Sequence, residues 1–183
     1  ARVIVVGSIN QDVTVTVDRF PTPGETLSGS SLTYGLGGKG ANQAAAAARS
    51  GIPTLFVGAV GTDLAGHSLR THLAAHGVDV SHLREVDSPS GTALITVAAS
   101  GENTIILDAG ANRASSIAHA KASLFPAPSD IVVLQAEIPE RANASGPIPL
   151  ARESCSTWRP RAQPTRRRCR ASTSWWSTRR RPG

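Results

Sequence analysis

A chain of 183 residues, 40% apolar, 4% aromatic and +6 in formal charge, has the length of one domain, or of one domain and an extension. Seventeen glycines and twelve prolines favour a turn-rich α/β chain over a helical bundle. No apolar run approaches the roughly 20 residues that cross a bilayer as a helix, and no basic segment followed by an apolar stretch marks secretion. The expectation is a cytoplasmic protein, not a membrane or secreted one. Met is absent even at position 1, so the chain is expected to begin after a removed initiator or as a fragment.

The mean charge conceals two different sequences. Residues 1–140 carry 8 Lys+Arg against 12 Asp+Glu, a net of −4. Residues 141–183 carry 11 Arg, no Lys and the single acid Glu153, a net of +10. Both cysteines (Cys155, Cys169) and all three tryptophans (Trp158, Trp175, Trp176) fall in this tail, whose only branched aliphatics are Ile148 and Leu150.

In chain order, Val3–Gly7 is a β-branched run that predicts a buried parallel strand. Val13–Val17 alternates polar and apolar residues, the period of a half-exposed strand. Phe20-Pro-Thr-Pro-Gly24 is a rigid turn. Glycines 35, 37, 38 and 40 lead into an Ala-rich helix over Ala41–Arg49, stopped by Ser50-Gly51. Thr54–Val60 reads as a second buried strand and Leu64–His76 as an amphipathic helix ended by Gly77. Thr92–Ala98 and Asn103–Leu107, around Ser100-Gly101, predict a hairpin. A helix is expected over Ile117–Leu124 and a third buried strand over Ile131–Gln135. Buried strands alternating with helices imply a parallel sheet covered on both faces, while the alternating segments imply a small separate β-layer.

Three places carry chemistry. The stretch Gly35-Leu-Gly-Gly-Lys-Gly-Ala-Asn-Gln43 lets backbone approach a ligand closely and ends at a helix N-terminus with free N–H groups; it reads equally as a flexible turn before a helix. It is not a phosphate P-loop, because Gly40 and not Ser or Thr follows Lys39, and it does not directly follow the first strand as a dinucleotide fingerprint would. Asn10 and Asp12 stand just past the carboxyl end of the first strand, where open α/β sheets bind ligands. They offer hydrogen bonds to a polyhydroxylated ligand, or else serve as an Asx turn or helix cap. Glu137 follows the third strand at the same edge, either as a second carboxylate in the cleft or as a solvated loop acid. His67, His72, His76, His82 and His119 lack metal-ligand spacing and are taken as surface residues, and no Ser/His/Asp constellation is present.

The succession of these segments resembles the ribokinase family of sugar kinases: Gly7-Ser-Ile-Asn-Gln-Asp12, Phe20-Pro-Thr-Pro-Gly-Glu-Thr26, Gly37-Gly-Lys-Gly-Ala-Asn-Gln-Ala44, Gly58-Ala-Val-Gly-Thr-Asp-Leu-Ala-Gly66, Thr92-Ala-Leu, Asp108-Ala-Gly-Ala-Asn112 and Gln135-Ala-Glu-Ile-Pro139. The match covers residues 2–140, in a form nearer the ribose-specific branch than fructokinases or adenosine kinases. The resemblance implies a three-layer, Rossmann-like α/β fold with a small β-sheet lid formed by residues 13–17, roughly 26–34 and 92–107. It also implies transfer of the γ-phosphoryl group of ATP to D-ribose, giving ribose 5-phosphate, with Mg²⁺ and a monovalent cation such as K⁺, and a homodimer joined through the lid. By the same resemblance the sugar is held by Asn10, Gln11, Asp12, Gly38, Lys39, Gly40, Ala41, Asn42 and Glu137. The family's catalytic Asp lies in a Gly-Ala-Gly-Asp motif that opens a helix, and this motif occurs nowhere in the 183 residues. The ATP-side segment is absent as well. The chain is therefore expected to keep a sugar half-site, with the C-terminal part of the fold missing, and to be inactive in phosphoryl transfer.

The tail accounts for this if it is a GC-rich gene read out of frame. Moving the frame back one base turns Trp175-Trp-Ser into Val-Val followed by codons compatible with Asn-Glu-Ala-Glu-Ala-Gly, and permits Leu-Asn-Leu-Ala-Pro-Ala at Ser156–Arg161; both resemble family segments. The expected organisation is thus 1–140 as kinase body and 141–183 as a frameshifted, disordered tail, leaving a truncated sheet that is poorly soluble. Two other functions are compatible with the sequence: a non-catalytic sugar-binding module, and a basic arm whose arginines and tryptophans bind nucleic acid. A sugar-kinase body gives the arm no purpose, and Lys is absent from it.

Overall fold

The structure is a computed structural model that describes residues 1–115 and 127–139, together with the backbone of 154–156. Five parallel strands lie side by side as a floor: β5 (Val78–Val86), β4 (Thr54–Gly61), β1 (Val3–Val6), β8 (Ile131–Leu134) and β9 (Ser154–Ser156), in that spatial order. The runs richest in branched aliphatics take the middle. All four residues of β1 and all eight of β4 are buried, as strands covered on both faces must be. Val3–Val6 pairs in register with Thr54–Val57 on one side and with Ile131–Leu134 on the other.

Two helices, α1 (Lys39–Arg49) and α2 (Leu64–Ala75), contribute Ala41, Ala44, Leu69 and Leu73 to one apolar cluster with Val3, Val5, Phe56 and Val60. The alternate residues Ile4, Val6, Leu55, Val57 and Val132 form a second cluster with Ile138. The period of the strands thus divides the core between the two faces of the floor. Helix α2 starts where the Asp63 carboxylate accepts the Gly66 N–H at 2.8 Å and stops at His76, with Gly77 at φ +81°, an N-cap and a left-handed glycine stop.

The second sheet is the separate layer the alternating segments imply. It holds β3 (Ser31–Gly37), β2 (Asn10–Val17), β6 (Thr92–Ala98) and β7 (Asn103–Asp108), in that order. β2 and β6 are parallel, and the two outer pairs antiparallel. A short 3-10 turn, Gly110–Ala114, returns the chain from β7 to the floor.

Three sequence expectations need correction. Asn10 and Asp12 are neither turn nor cap residues but lie in the first three positions of β2. Gly35 and Gly37 are not loop but the end of β3. β5 was not anticipated; its segment VDVSHLREV buries only Val78 and Leu83, because it forms the outer edge of the floor and needs few apolar residues. The helix expected over Ile117–Leu124 lies outside the described residues, as does the tail beyond 140 apart from the backbone of β9.

Candidate functional site

The two sheets meet where β1 hands the chain to β2 through Gly7, Ser8 and Ile9. Backbone crowding sets the residue types there. A Cβ on Gly7 would stand 2.8 Å from the Gly40 Cα, and one on Gly40 would stand 2.7 Å from the backbone N and O of Ser8. The first turn of α1 can therefore rest directly on the strand-to-strand turn, with the Ala41 N–H donating to the Ser8 carbonyl at 3.0 Å. Gly38, just before the helix, has φ +89°, and a Cβ there would stand 2.8 Å from the Ile9 Cα. Both its conformation and its surroundings call for glycine.

Along β2, strand alternation sends Asn10 and Asp12 to one face and Gln11 to the other. The Asp12 carboxylate lies against Gly37, where an added Cβ would fall 1.9 Å from Oδ1. Lys39 opens α1, and Asn42 follows one helical turn later on the exposed side, so the two are neighbours on the helix surface. Glu137 arrives from beyond β8. Its carboxylate pairs with the Lys39 ammonium, accepts the Ser8 hydroxyl at 2.8 Å and faces the Lys39 N–H at 3.4 Å. An acid here is favoured by the N-terminal end of the helix dipole. The Glu137 N–H in turn donates to Gln135 Oε1 at 2.9 Å.

The two carboxylates are driven in opposite directions. Burial pulls Glu137 upward, but donation from Lys39 and Ser8 outweighs it and leaves the group below its ordinary 4.5. Asp12 is raised above 3.8, first by burial and then by the negative charge of Glu137. The second cause means that both acids share one local field although they come from different sheets.

Of the residues expected in the site, Asp12, Lys39 and Glu137 are brought together around the start of α1, and Gly38 lines the same turn. Asn10 is 4% exposed and accepts a hydrogen bond from Asn112 at 2.7 Å. Gly40 and Ala41 are buried against Ser8 and serve packing. Gln11 stands apart, on the opposite face of β2, where its backbone N–H donates to Gly91 at 2.8 Å. Sequence reasoning missed Ser8 and Asn112 as site residues. Asn112 stood in a quoted motif, but its partners are more than 100 positions away, and Ser8 was flagged only by its place after Gly7.

This arrangement supplies ionised acceptors, an ammonium donor and carboxamides around one helix start, the inventory that hydrogen-bonds a polyhydroxylated small molecule. Among the described residues no group of three or more His, Cys, Asp and Glu side chains is gathered that could hold a metal ion.

Residues 1–145 match the model of the pfkB family carbohydrate kinases. The chain belongs to this family. It is 41% identical over 137 residues to a ribokinase of Haemophilus influenzae and 43% identical over 141 residues to one of Bacillus subtilis, covering 74% and 76% of this chain. It covers 45% and 48% of those two proteins, so the chain spans about half the length of the relatives it matches. Among solved structures, the ribokinase of Giardia lamblia superposes with a TM-score of 0.71 at 34% identity, over 78% of this chain and 44% of that one. The Arabidopsis thaliana ribokinase, solved with ribose and ATP, gives 0.68 at 38% identity over 78% and 47%. The parallel sheet with helices and the small second sheet are thus a carbohydrate-kinase architecture. Among the described residues no helix is long and apolar enough to cross a membrane.

Proposed function

We propose that this chain carries the sugar half-site and lid of an ATP-dependent kinase that phosphorylates D-ribose to ribose 5-phosphate. The observation that carries the reading is the meeting of Asp12 from the lid with Lys39 and Glu137 from the floor, with Glu137 contributing to the upward shift of Asp12. Two acids and an ammonium around a glycine-lined turn suit the vicinal hydroxyls of a sugar, and a sheet above them excludes water from the transfer. Asn10, Asp12, Gly38, Lys39, Asn42 and Glu137 are the proposed contacts. The ribokinases among the relatives support the substrate, and the Arabidopsis complex supports both ribose and ATP as ligands of the whole enzyme. A cytoplasmic enzyme is part of the same reading, since ATP is the expected co-substrate.

These 183 residues contain no Gly-Ala-Gly-Asp motif, so we assign them sugar binding without phosphoryl transfer. Titration calorimetry of the full chain with D-ribose is expected to show binding at millimolar sugar or below, with no ribose 5-phosphate formed when MgATP and KCl are added. No heat with ribose would remove the sugar-site reading; turnover would remove the assignment of inactivity. The expected frame change in the tail is tested by resequencing the coding DNA from about codon 135, where a corrected frame should run on to Gly-Ala-Gly-Asp.

A homodimer through the lid is part of the same reading. Tyr34, Val13, Leu94 and Ile106 lie in one cross-strand row on the face opposite Asp12, and Tyr34, Leu94 and Ile106 are 65%, 51% and 71% exposed. Such a row is an apolar patch suited to a second copy of itself. Sedimentation of the chain and of Ile106→Glu is expected to give a dimer and a monomer respectively.

A further inference from the structure

Asn112 has no assigned role, yet its side chain makes three hydrogen bonds at the seam. It is 2% exposed. Its Oδ1 accepts the Ile9 N–H at 2.9 Å, and its Nδ2 donates to the Ile9 carbonyl at 3.0 Å and to Asn10 Oδ1 at 2.7 Å. This fixes more than position. The Ile9 N–H is a backbone donor and cannot be reassigned, so the atom of Asn112 facing it must be oxygen. The other end of Asn112 is then the NH₂, and the atom of Asn10 that meets it must in turn be oxygen. Through this chain of assignments the Asn10 carboxamide is held with its carbonyl toward the floor and its two N–H groups turned away.

The backbone of the approach to β6 packs directly against this amide pair. A Cβ on Gly91, at the foot of β6, would stand 2.2 Å from Asn112 Nδ2 and 2.3 Å from Asn10 Oδ1. The turn bearing Asn112 is itself tied down by the Ala111 N–H, which donates to the Pro89 carbonyl at 2.8 Å. The start of β2, the approach to β6 and the segment leaving β7 therefore converge on one amide pair.

We propose that Asn112 is a positioning residue that orients the Asn10 carboxamide so that its N–H groups donate to a hydroxyl oxygen of the bound sugar. This rests on the reading of Asn10 as a sugar contact. Without Asn112, the Asn10 amide is free to turn its carbonyl toward the ligand and loses its fixed polarity. Loss of one oriented donor at a buried site corresponds to about a tenfold fall in affinity.

The test has two arms on the full 183-residue chain. In the first, which needs no ligand, ¹⁵N,¹³C-labelled protein is examined for a through-hydrogen-bond correlation between the Asn112 side-chain amide and the Asn10 carboxamide carbon. Its presence supports the orientation; its absence in a folded chain overturns the proposal whether or not ribose binds. The second arm measures D-ribose affinity in Asn10→Ala, Asn112→Ala and the double variant, with circular dichroism as the check on folding. Asn112→Ala is expected to weaken ribose about tenfold alone and not at all once Asn10 is already Ala. Equal losses in both backgrounds would reveal general scaffolding and overturn the proposal. Should Asn112→Ala fail to fold, Asn112→Ser and the correlation in the parent chain decide. A parent chain that shows the correlation but gives no heat with ribose overturns the sugar reading itself, and the ligand-orienting role with it.

Discussion

Every residue of β1 and β4 is buried, whereas every residue of β7 is exposed, although Val-Ile-Val-Val and Ile-Ile-Leu are equally apolar. The floor carries α1 and α2 on one face and has its side chains shared between two packed clusters. The lid has one face above the site and the other free, so its apolar residues contribute little to holding the chain together. Burial, not hydrophobicity, converts these residues into stability. The contrast also divides labour. The floor fixes where Lys39 and Glu137 stand, and the lid brings Asn10 and Asp12 to them.

The largest effect that would sharpen this contrast is a pair of truncations. Phe56 is 0% exposed and Ile106 71% exposed. Phe56→Ala is expected to cost about 3–5 kcal/mol in denaturant unfolding, and Ile106→Ala less than about 0.5 kcal/mol. Comparable losses at the two positions would mean that the lid is as well packed as the floor, contrary to its exposure. Next comes the junction. A methyl on Gly37 overlaps the Asp12 carboxylate, so Gly37→Ala should displace that group at little cost in stability, because only the end of one side chain has to move. D-ribose titrated into Gly37→Ala should then bind at least about tenfold more weakly; unchanged affinity would detach Asp12 from the site.

How much of this the sequence disclosed follows the same division. β1 and β4 were legible because an unbroken buried run has one interpretation, and α1 and α2 because glycine stops and apolar spacing agree. β5 was not, since an edge strand with two buried residues resembles a loop with scattered valines. The lid was legible as alternation, but its start was misplaced. Gly7-Ser8 reads as punctuation and puts Asn10 and Asp12 beyond a strand, whereas they open one. At the site, Lys39 and Glu137 lay in segments already singled out, but their pairing spans 98 positions and only the floor's strand order brings them together. The place of Asn112 at the seam has no sequence signature, because two of its three hydrogen bonds go to backbone.

Two aspartates allow a finer comparison. Asp130 belongs to the floor, where its carboxylate receives the Arg2 N–H and Nε at 3.0 Å each and the Ala127 N–H at 2.9 Å. Burial alone would raise it, but these donors, with the Arg2 charge, hold it below 3.8. A folded value below the unfolded one means stability that is present above the unfolded value and lost as pH falls through the folded one. Asp130→Asn should cost about 1–3 kcal/mol at pH 7, with the difference from the parent shrinking in acid. A pH-independent difference would assign the loss to packing.

Asp12 should respond with the opposite sign and a smaller amplitude. Burial and the charge of Glu137 raise it, so the ionised form is less favourable folded than unfolded. That disadvantage is absent below the unfolded value, grows as pH rises from there to the folded value, and is constant above it. Asp12→Asn removes the charge but keeps the shape, so at pH 7 thermal unfolding should occur at the same temperature or slightly higher, while D-ribose binds more weakly. The two readouts moving apart would mark Asp12 as a group held at a cost to stability for the sake of a ligand. If melting temperature and ribose affinity fall together, Asp12 belongs to the scaffold like Asp130, and the seam loses its claim to be a different kind of place from the floor.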